Sequence, residues 1–167
     1  FFVFTTPLSS KSEMSDWLSR HGDGVYDIAF SVDNAKDAYD SCLSRGAVGV
    51  ENNINSSTTD GIYSKYSIRT YGDTIHSFIE DDKYLGCWSP DFIKIESKTS
   101  NTPNNSLIKI DHIVGNVEEG KMDEWRKFYE DICGFTNFVR FDDSDISTQY
   151  SALRSIVMRS KNWKVKL

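Results

Sequence analysis

A chain of 167 residues, 38% hydrophobic and 13% aromatic, can bury one good core or two small ones, and disorder is not expected. Its 25 acidic and 19 basic residues give a net charge of -6, and the bases are scattered, which argues against a nucleic-acid partner. No apolar run approaches the roughly 20 residues of a membrane-spanning helix, and no signal peptide is indicated. We therefore expect a cytoplasmic protein with neither a membrane nor a nucleic acid as partner.

The first predicted unit combines a helix with several strands. The chain opens on an aromatic and β-branched strand, Phe1 to Thr6, and residues 9–21 then form a polar, helix-permissive connection. The unit continues with strand 25–32, helix 33–45, strand 47–52, a turn-rich loop over 52–61, and strands 62–71 and 74–80, which the tight-turn dipeptide Gly72-Asp73 separates. The predicted order of this unit is βαβββ.

A second unit follows a stretch that has the composition of a linker. Residues 81–106 contain Gly86, Pro90, Pro103 and a run of Ser, Thr and Asn, which predicts a domain boundary. The second unit is predicted as strand 107–117, helix 121–133 and strands 135–141, 152–159 and 164–167. Residues 142–145 are interpreted as a solvated acidic turn, because the glycine and the bidentate glutamate of a calcium-binding EF-hand loop are missing from their positions.

The two units repeat one another, and only the second has a histidine in its first strand. With His112 placed opposite Asp27, the glycines that end the two helices, Gly46 and Gly134, fall 19 and 22 residues downstream. A lone imidazole in an apolar strand is a candidate metal ligand, although a hydrogen-bonded core histidine is the commoner arrangement.

The three cysteines, Cys42, Cys87 and Cys133, have no C-x-x-C spacing and would leave one thiol over in any disulfide scheme. Cys42 and Cys133 fall near the ends of the two predicted helices, where a small hydrophobic side chain fits. We interpret the cysteines as structural thiols and not as a catalytic nucleophile.

Five strings of the sequence resemble 4-hydroxyphenylpyruvate dioxygenases. They are FVFTTPLS (residues 2–9), HGDGVYDIAF (21–30), YGDTIHSFIE (71–80), IDHIVGNV (110–117) and YSALRSIVM (150–158). The strings occur in that family's order and cover nearly the whole chain, so the resemblance is far more specific than one short motif. The related hydroxymandelate synthases share most of these strings.

The resemblance implies an α+β fold of repeated βαβββ modules, the vicinal oxygen chelate or glyoxalase-like fold, truncated here at both ends. Residues 1–97 would be the C-terminal part of a metal-free N-terminal domain, residues 98–106 a linker, and residues 107–167 the incomplete first module of the catalytic domain. The implied cofactor is Fe(II), held by two His and one carboxylate with open positions for a 2-oxo acid and O2. The implied reaction converts 4-hydroxyphenylpyruvate and O2 to homogentisate and CO2, a step of tyrosine catabolism.

The resemblance also assigns roles to individual residues. His112 matches the family's first iron ligand, and Ser155 matches a hydroxyl that lies near the bound substrate. Val114 and Val157 match apolar positions that line the same pocket. The second His and the Glu ligand would lie beyond Leu167. Because one imidazole cannot hold Fe(II) against water, the chain alone is expected to be inactive.

The first unit is expected to have no metal site, and its Asp27, His76 and Glu80 are interpreted as hydrogen-bonded structural residues. Sheet faces without a partner module are expected to associate, which predicts a homodimer or a higher homo-oligomer. Two alternatives stay open. One is a hydroxymandelate synthase fragment, which would oxidise the same substrate at another position, and the other is a non-catalytic module of the same superfamily that binds a small ligand or a partner chain.

Overall fold

The computed structural model describes residues 1–80, 82–95, 108–141 and 154–167. By internal contacts the chain divides into two compact units, Phe1–Ile95 and Glu96–Leu167. The predicted linker over residues 98–106 and the predicted acidic turn over residues 142–145 lie outside the described residues. None of the helices in the described part of the chain is long and apolar enough to cross a membrane.

The first unit contains two helices and a four-stranded sheet. Its elements are α1 (Glu13–His21), β1 (Asp27–Ser31), α2 (Ala35–Ser44), β2 (Ile54–Thr58), β3 (Gly61–Arg69) and β4 (Ile75–Glu80). The sheet order is β1-β4-β3-β2, with β1 parallel to β4 and the other neighbours antiparallel. A helix thus separates one strand from three antiparallel strands, although the second strand of the unit is not the one that the sequence predicts.

Helix α2 covers one face of this sheet. The backbone N–H of Ala35, at the start of α2, points at the Glu80 carboxylate on β4 over 3.4 Å, and Tyr39 packs on Tyr66 of β3 with 5.4 Å between ring centroids. Because side chains alternate along a strand, Lys65, the neighbour of Tyr66, points to the other side of the sheet. We call this side, which carries Asp27, Lys65, Ser67 and Ser77, the open face of the first sheet because α2 does not cover it, although the two serines are buried.

Residues 9–21, predicted only as a connection, contain the docked helix α1. Ser12 caps the helix by accepting a hydrogen bond from the backbone N–H of Ser15 at 3.2 Å. Trp17 is the one buried residue of the helix, and its indole Nε1–H donates to the main-chain oxygen of Asp73 at 3.2 Å. Asp73 lies in the predicted tight turn between β3 and β4, where Gly72 and Asp73 have φ values of 60° and 62°.

Three other predictions for the first unit are wrong. Residues 52–61, predicted as a loop, contain β2, which pairs with β3 from Ile54 opposite Lys65 to Thr58 opposite Gly61. Residues 47–52, predicted as a strand, make only an isolated bridge to β3. Residues 1–6, also predicted as a strand, have none of the backbone pairing that defines one. A strand exists only where a neighbouring backbone satisfies its N–H and C=O groups, whatever its own propensity.

The second unit contains α3 (Met122–Asp131), β5 (Thr136–Phe141) and β6 (Ser155–Arg159). β5 and β6 are antiparallel, with Phe141 opposite Ser155 and Thr136 opposite Arg159. Helix α3 covers the face of this strand pair that carries the buried Met158. Arg140 lies opposite Ile156 and so shares that face, and its guanidinium is 3.6 Å from the Asp123 carboxylate of α3. The predicted helix and both strands of this unit are confirmed within a few residues.

The segment predicted as strand 107–117 is irregular over its described residues, 108–117, which corrects that prediction. Its cross-chain pairing is a hydrogen bond from the backbone N–H of Ile113 to the carbonyl oxygen of Lys166, 3.1 Å long. One such bond does not make the ladder that holds a strand extended. Lys166 in turn pairs with Arg159 at the end of β6.

The second unit therefore has the same lateral order as the first. The segment around Ile113 lies beside Lys166, Lys166 lies beside β6, and β6 lies beside β5. This succession is the counterpart of β1-β4-β3-β2, so the repeat that the sequence predicts also holds for the topology of the two units.

Candidate metal centre

His112 lies in the irregular segment before α3, and its side chain is 59% exposed. Its ring atom Nδ1 is 2.9 Å from Oδ2 of Asp111, and the other carboxylate oxygen of Asp111 accepts a hydrogen bond from the Lys166 ammonium at 3.2 Å. We expected a strand that directs the imidazole into a closed interior. The structure instead places His112 in a solvent-accessible segment, which contacts Lys166 beside β6.

Asp111 determines which nitrogen of His112 is free to bind a metal ion. An ionised carboxylate only accepts hydrogen bonds, so Nδ1 must carry the proton, and the lone pair of Nε2 is available in the neutral ring. Metal-bound histidines commonly donate their second ring N–H to a carboxylate in this way. The hydrogen bond from His112 and the contact with Lys166 hold the pKa of Asp111 below its usual range.

Sequence reasoning missed both Asp111 and Lys166. The signal for Asp111 was present, because a carboxylate directly precedes the candidate ligand in the chain. Lys166 had no such signal, since it lies 55 residues from Asp111 and only the fold brings the two side chains together.

Ser155 and Val157 share the face of β6 that α3 does not cover. Both are half-buried, and they lie opposite Phe141 and Val139 of β5. Within the described residues the Ser155 hydroxyl has no hydrogen-bond partner, so it can donate to or accept from a bound molecule. This face carries the Ser155 hydroxyl among the apolar side chains of Val157, Phe141 and Val139, with Arg159 at its end, and few polar groups among apolar ones are typical of a small-molecule site.

The structure brings the four predicted site residues together only in part. Ser155 and Val157 are neighbours on one face of β6, whereas Val114, two residues after His112, is 73% exposed. No hydrogen bond or ion pair between described residues joins His112 to Ser155. The link between the two segments is the backbone contact of Ile113 with Lys166.

These residues fit one corner of an Fe(II) site. A neutral imidazole with a free Nε2 is a ligand that Fe(II) prefers, and the two-His, one-carboxylate arrangement needs two more. Across residues 1–80, 82–95, 108–141 and 154–167, no group of three His, Cys, Asp or Glu side chains is placed to hold a metal ion. The described residues therefore supply a single ligand.

The first unit has a hydrogen-bonded network where the second has His112. Oδ2 of Asp27 accepts hydrogen bonds from the Lys65 ammonium at 2.8 Å and from the Ser77 hydroxyl at 2.7 Å. Glu80 faces the backbone N–H of Ala35 and pairs with the Lys83 ammonium. The prediction that Asp27 and Glu80 are hydrogen-bonded structural residues is confirmed.

His76, the third of these polar residues, is completely buried beneath α2. Burial disfavours the charged imidazolium and lowers the pKa of His76 to about 4, against the smaller opposing effects of the Ile28 backbone, Asp27 and the Ile75 backbone. The ring is therefore neutral at pH 7 and packs 5.0 Å from the Phe30 ring, centroid to centroid. It has no access to a solvent-borne ligand.

The fold of the chain is the vicinal oxygen chelate fold, built from βαβββ units. A solved structure of a triple mutant of 4-hydroxymandelate synthase from Streptomyces coelicolor superimposes with a TM-score of 0.71. The match covers 95% of this chain and 44% of that one, at 17% sequence identity. At that identity the likeness establishes the fold, and it leaves the reaction to other observations.

Sequence similarity is more specific about the protein concerned. The chain is 36% identical to 4-hydroxyphenylpyruvate dioxygenase of Yarrowia lipolytica over 174 residues and 38% identical to that of Coccidioides posadasii over 183 residues. It is 36% identical to that of Dictyostelium discoideum over 170 residues. Each match covers 99% of this chain, which confirms the resemblance to 4-hydroxyphenylpyruvate dioxygenases along its whole length.

The chain spans less than half the length of the curated relatives that it matches. The matched parts are 44% of the Yarrowia protein and 46% of each of the other two. No protein-family model matches the chain.

Proposed function

We propose that this chain is part of an Fe(II)-dependent dioxygenase that converts 4-hydroxyphenylpyruvate and O2 to homogentisate and CO2. The names of the relatives that match 99% of the chain support this reaction, and they favour a small 2-oxo acid and O2 as the partners. The reaction would be a step of tyrosine catabolism, and the location would be the cytoplasm, which suits cysteines that form no disulfide (Cys42, Cys87 and Cys133).

The observation on which the proposal rests is the tautomer and exposure of the His112 imidazole. Asp111 accepts a hydrogen bond from Nδ1–H of the imidazole, which leaves the Nε2 lone pair available at a solvent-accessible position. In this proposal His112 is one of three Fe(II) ligands, and the second His and the Glu lie beyond Leu167. Bound Fe(II) would chelate the 2-oxo acid and activate O2.

The residues of this chain would position the substrate and limit its contact with water. The Ser155 hydroxyl would hydrogen-bond the substrate, and Val157 would present an apolar surface beside it on the same face of β6. Val114 would complete this surface once the exposed segment around His112 is covered. Asp111 and Lys166 would orient the imidazole without touching the substrate.

Hydroxymandelate synthase is the second candidate, because those enzymes share most of the sequence strings on which the resemblance rests. Such an enzyme would oxidise the same substrate at a different position, and its product distinguishes it from the dioxygenase. The third candidate is a non-catalytic module that binds a small ligand or a partner chain, and it would turn over neither substrate nor O2.

The test is turnover by the product of the complete reading frame that contains this sequence. With 4-hydroxyphenylpyruvate in air, we expect one O2 consumed and one CO2 released for each homogentisate, identified by chromatography against standards. His112→Ala is expected to abolish turnover. His21→Ala, which removes another solvent-accessible histidine, is the matched control and is expected to retain it.

Each other outcome selects a different account. Hydroxymandelate as product would favour the second candidate, and the absence of any turnover by an iron-loaded protein would favour the third. Full activity of His112→Ala would contradict the proposed ligand. The chain of 167 residues by itself is expected to be inactive, since the described residues supply one ligand of three.

A further inference from the structure

The open face of the first sheet carries a connected set of polar side chains. Asp27 on β1 accepts hydrogen bonds from Lys65 on β3 and from Ser77 on β4, and Ser77 also hydrogen-bonds Ser67 on β3 at 2.8 Å. The side chains of Lys65 and Asp27 are 24% and 19% exposed, and the two serines are buried. An ion pair so far withdrawn from water is costly to form unless its partners are well placed.

This network occupies the positions that correspond to the candidate metal centre of the second unit. Asp27 is the counterpart of His112 in the sequence repeat. The last paired residues before the closing turn are Arg69 in the first unit and Arg159 in the second. Lys65 lies four residues before Arg69, and Ser155 lies four residues before Arg159, so these two residues correspond.

By the same count, Ser67 matches Val157. These residues lie on β3 in the first unit and on β6 in the second, in each case on the face that the helix does not cover. The first unit therefore has an acid and a base where the second has an imidazole and the predicted substrate-binding residues.

The geometry around Asp27 is that of a carboxylate bound to a cation. The Lys65 ammonium lies 2.8 Å from Oδ2, and the Ser77 hydroxyl completes the contacts of that oxygen. Oδ1 of Asp27 is buried and has no hydrogen-bond partner within the described residues. An ionised carboxylate in this position needs a nearby positive charge, and Lys65 is the group that supplies it.

We propose that the Lys65 ammonium takes the place of a metal ion in the first unit. The open face of the first sheet is then a cation site filled by the protein's own side chain. A carboxylate at position 65 would convert it into a site for a hard divalent cation, because two carboxylates and two hydroxyls form the oxygen donor set that Mn(II), Mg(II) and Ca(II) prefer. The comparison with the second unit rests on its proposed metal site, whereas the test concerns the first unit and needs no enzymatic activity.

The test is thermal unfolding of the 167-residue chain that carries Lys65→Glu, with and without MnCl2, because the described residues of this chain supply only one ligand of the proposed Fe(II) site. Without metal, two facing carboxylates should lower Tm by roughly 5–10 °C. About 1 mM MnCl2 should restore at least half of that loss and leave the wild-type Tm unchanged. The matched control is Lys36→Glu, which makes the same change of charge at an exposed helix pair with Asp40. Its Tm should lie within about 2 °C of the wild-type Tm, and MnCl2 should shift it by no more than about 2 °C.

Electron paramagnetic resonance of Mn(II) gives a second readout, with one bound ion per Lys65→Glu chain and none in Asp27→Asn/Lys65→Glu. Equal effects of MnCl2 on Lys65→Glu and Lys36→Glu would overturn the proposal, as would a Lys65→Glu variant that is as stable as wild type without metal.

If Lys65→Glu does not fold under either condition, Lys65→Met decides the matter. The proposal predicts that Lys65→Met leaves a bare carboxylate and that adding Asp27→Asn raises its Tm. A double variant no more stable than Lys65→Met would refute it.

Discussion

Between pH 7.5 and pH 5, lowering the pH should destabilise the first unit chiefly through one residue, His76. Its pKa is lowered from 6.5 to about 4, chiefly because burial disfavours the imidazolium. The folded state therefore binds the proton more weakly than the unfolded chain. The contribution of neutral His76 to stability is complete above pH 6.5 and is lost progressively as the pH falls towards 4.

The size of the effect follows from the two pKa values. A difference of one pKa unit corresponds to about 1.4 kcal/mol, so the full loss is about 3 kcal/mol, of which about 2 kcal/mol is lost by pH 5. With a urea m-value of about 1–2 kcal/mol/M for a unit of this size, the unfolding midpoint should fall by roughly 1–2 M between pH 7.5 and pH 5.

Urea unfolding followed by tryptophan fluorescence at pH 7.5, 6 and 5 measures this dependence. His76→Gln removes the titrating group and should flatten the profile over this range, whatever its stability at pH 7.5. His21→Gln, at a solvent-accessible histidine that contacts Asp73, is the control and should keep the wild-type slope. A His76→Gln variant that loses stability as steeply as wild type would refute the reasoning.

Three further predictions concern residues that the fold places in special positions. Trp17→Ala should destabilise the first unit by about 3 kcal/mol in urea unfolding, against about 1 kcal/mol for Leu18→Ala at the half-buried neighbour. Trp17 is the buried residue of α1, whereas the contacts of Arg20 and His21 with Asp73 are solvent-accessible. Equal losses would contradict this. Gly61→Ala should lower the free energy of unfolding by about 3 kcal/mol, since a Cβ there would lie 2.0 Å from the Lys83 carbonyl oxygen. Gly46→Ala, with nothing within 4 Å of its Cβ, should lower it by only about 1–2 kcal/mol through backbone strain. A larger loss for Gly46→Ala than for Gly61→Ala in denaturation would count against the packing of β3. Asp111→Asn should weaken Fe(II) binding by the complete protein about 10-fold to 100-fold in anaerobic titration, and unchanged affinity would remove its role in orienting His112.

The sequence predicts the elements whose side chains make periodic contacts with a core. Helices α2 and α3, strands β1, β3 and β4, and the tight turn at Gly72 and Asp73 all lie within a few residues of their predicted bounds. In α2 and α3 the apolar residues recur at the helical spacing, because one face packs against another element. Strand β4 is instead buried along its whole length. The repeat of the two units is visible for the same reason.

Sequence reasoning misses elements that are stabilised by backbone pairing alone or that bury a single side chain. Strand β2, with the sequence INSST, is polar and lies at the sheet edge, so its pairing with β3 leaves no hydrophobic pattern to detect. Helix α1 buries only Trp17, which is too little for a periodic signal. Residues 108–117 show the opposite case, an apolar pattern that predicts a strand where the described chain has no ladder to support it.

The candidate site is predictable in its chemistry and less so in its geometry. The resemblance to 4-hydroxyphenylpyruvate dioxygenases singles out His112, Ser155 and Val157, and their roles as ligand and pocket residues stay predictions. The contacts that set the state of the imidazole come from Asp111 and from Lys166, which is distant in sequence. Such contacts depend on the fold, and no local pattern encodes them.

The central claim is that His112 is an iron ligand, and anaerobic Fe(II) titration of the complete protein tests it most directly. Wild type and His21→Ala should each bind one Fe(II) per chain, and His112→Ala should bind it at least about 100-fold more weakly, because a three-ligand site that loses one ligand no longer holds the ion against water. Equal affinity of His112→Ala and wild type would contradict the account.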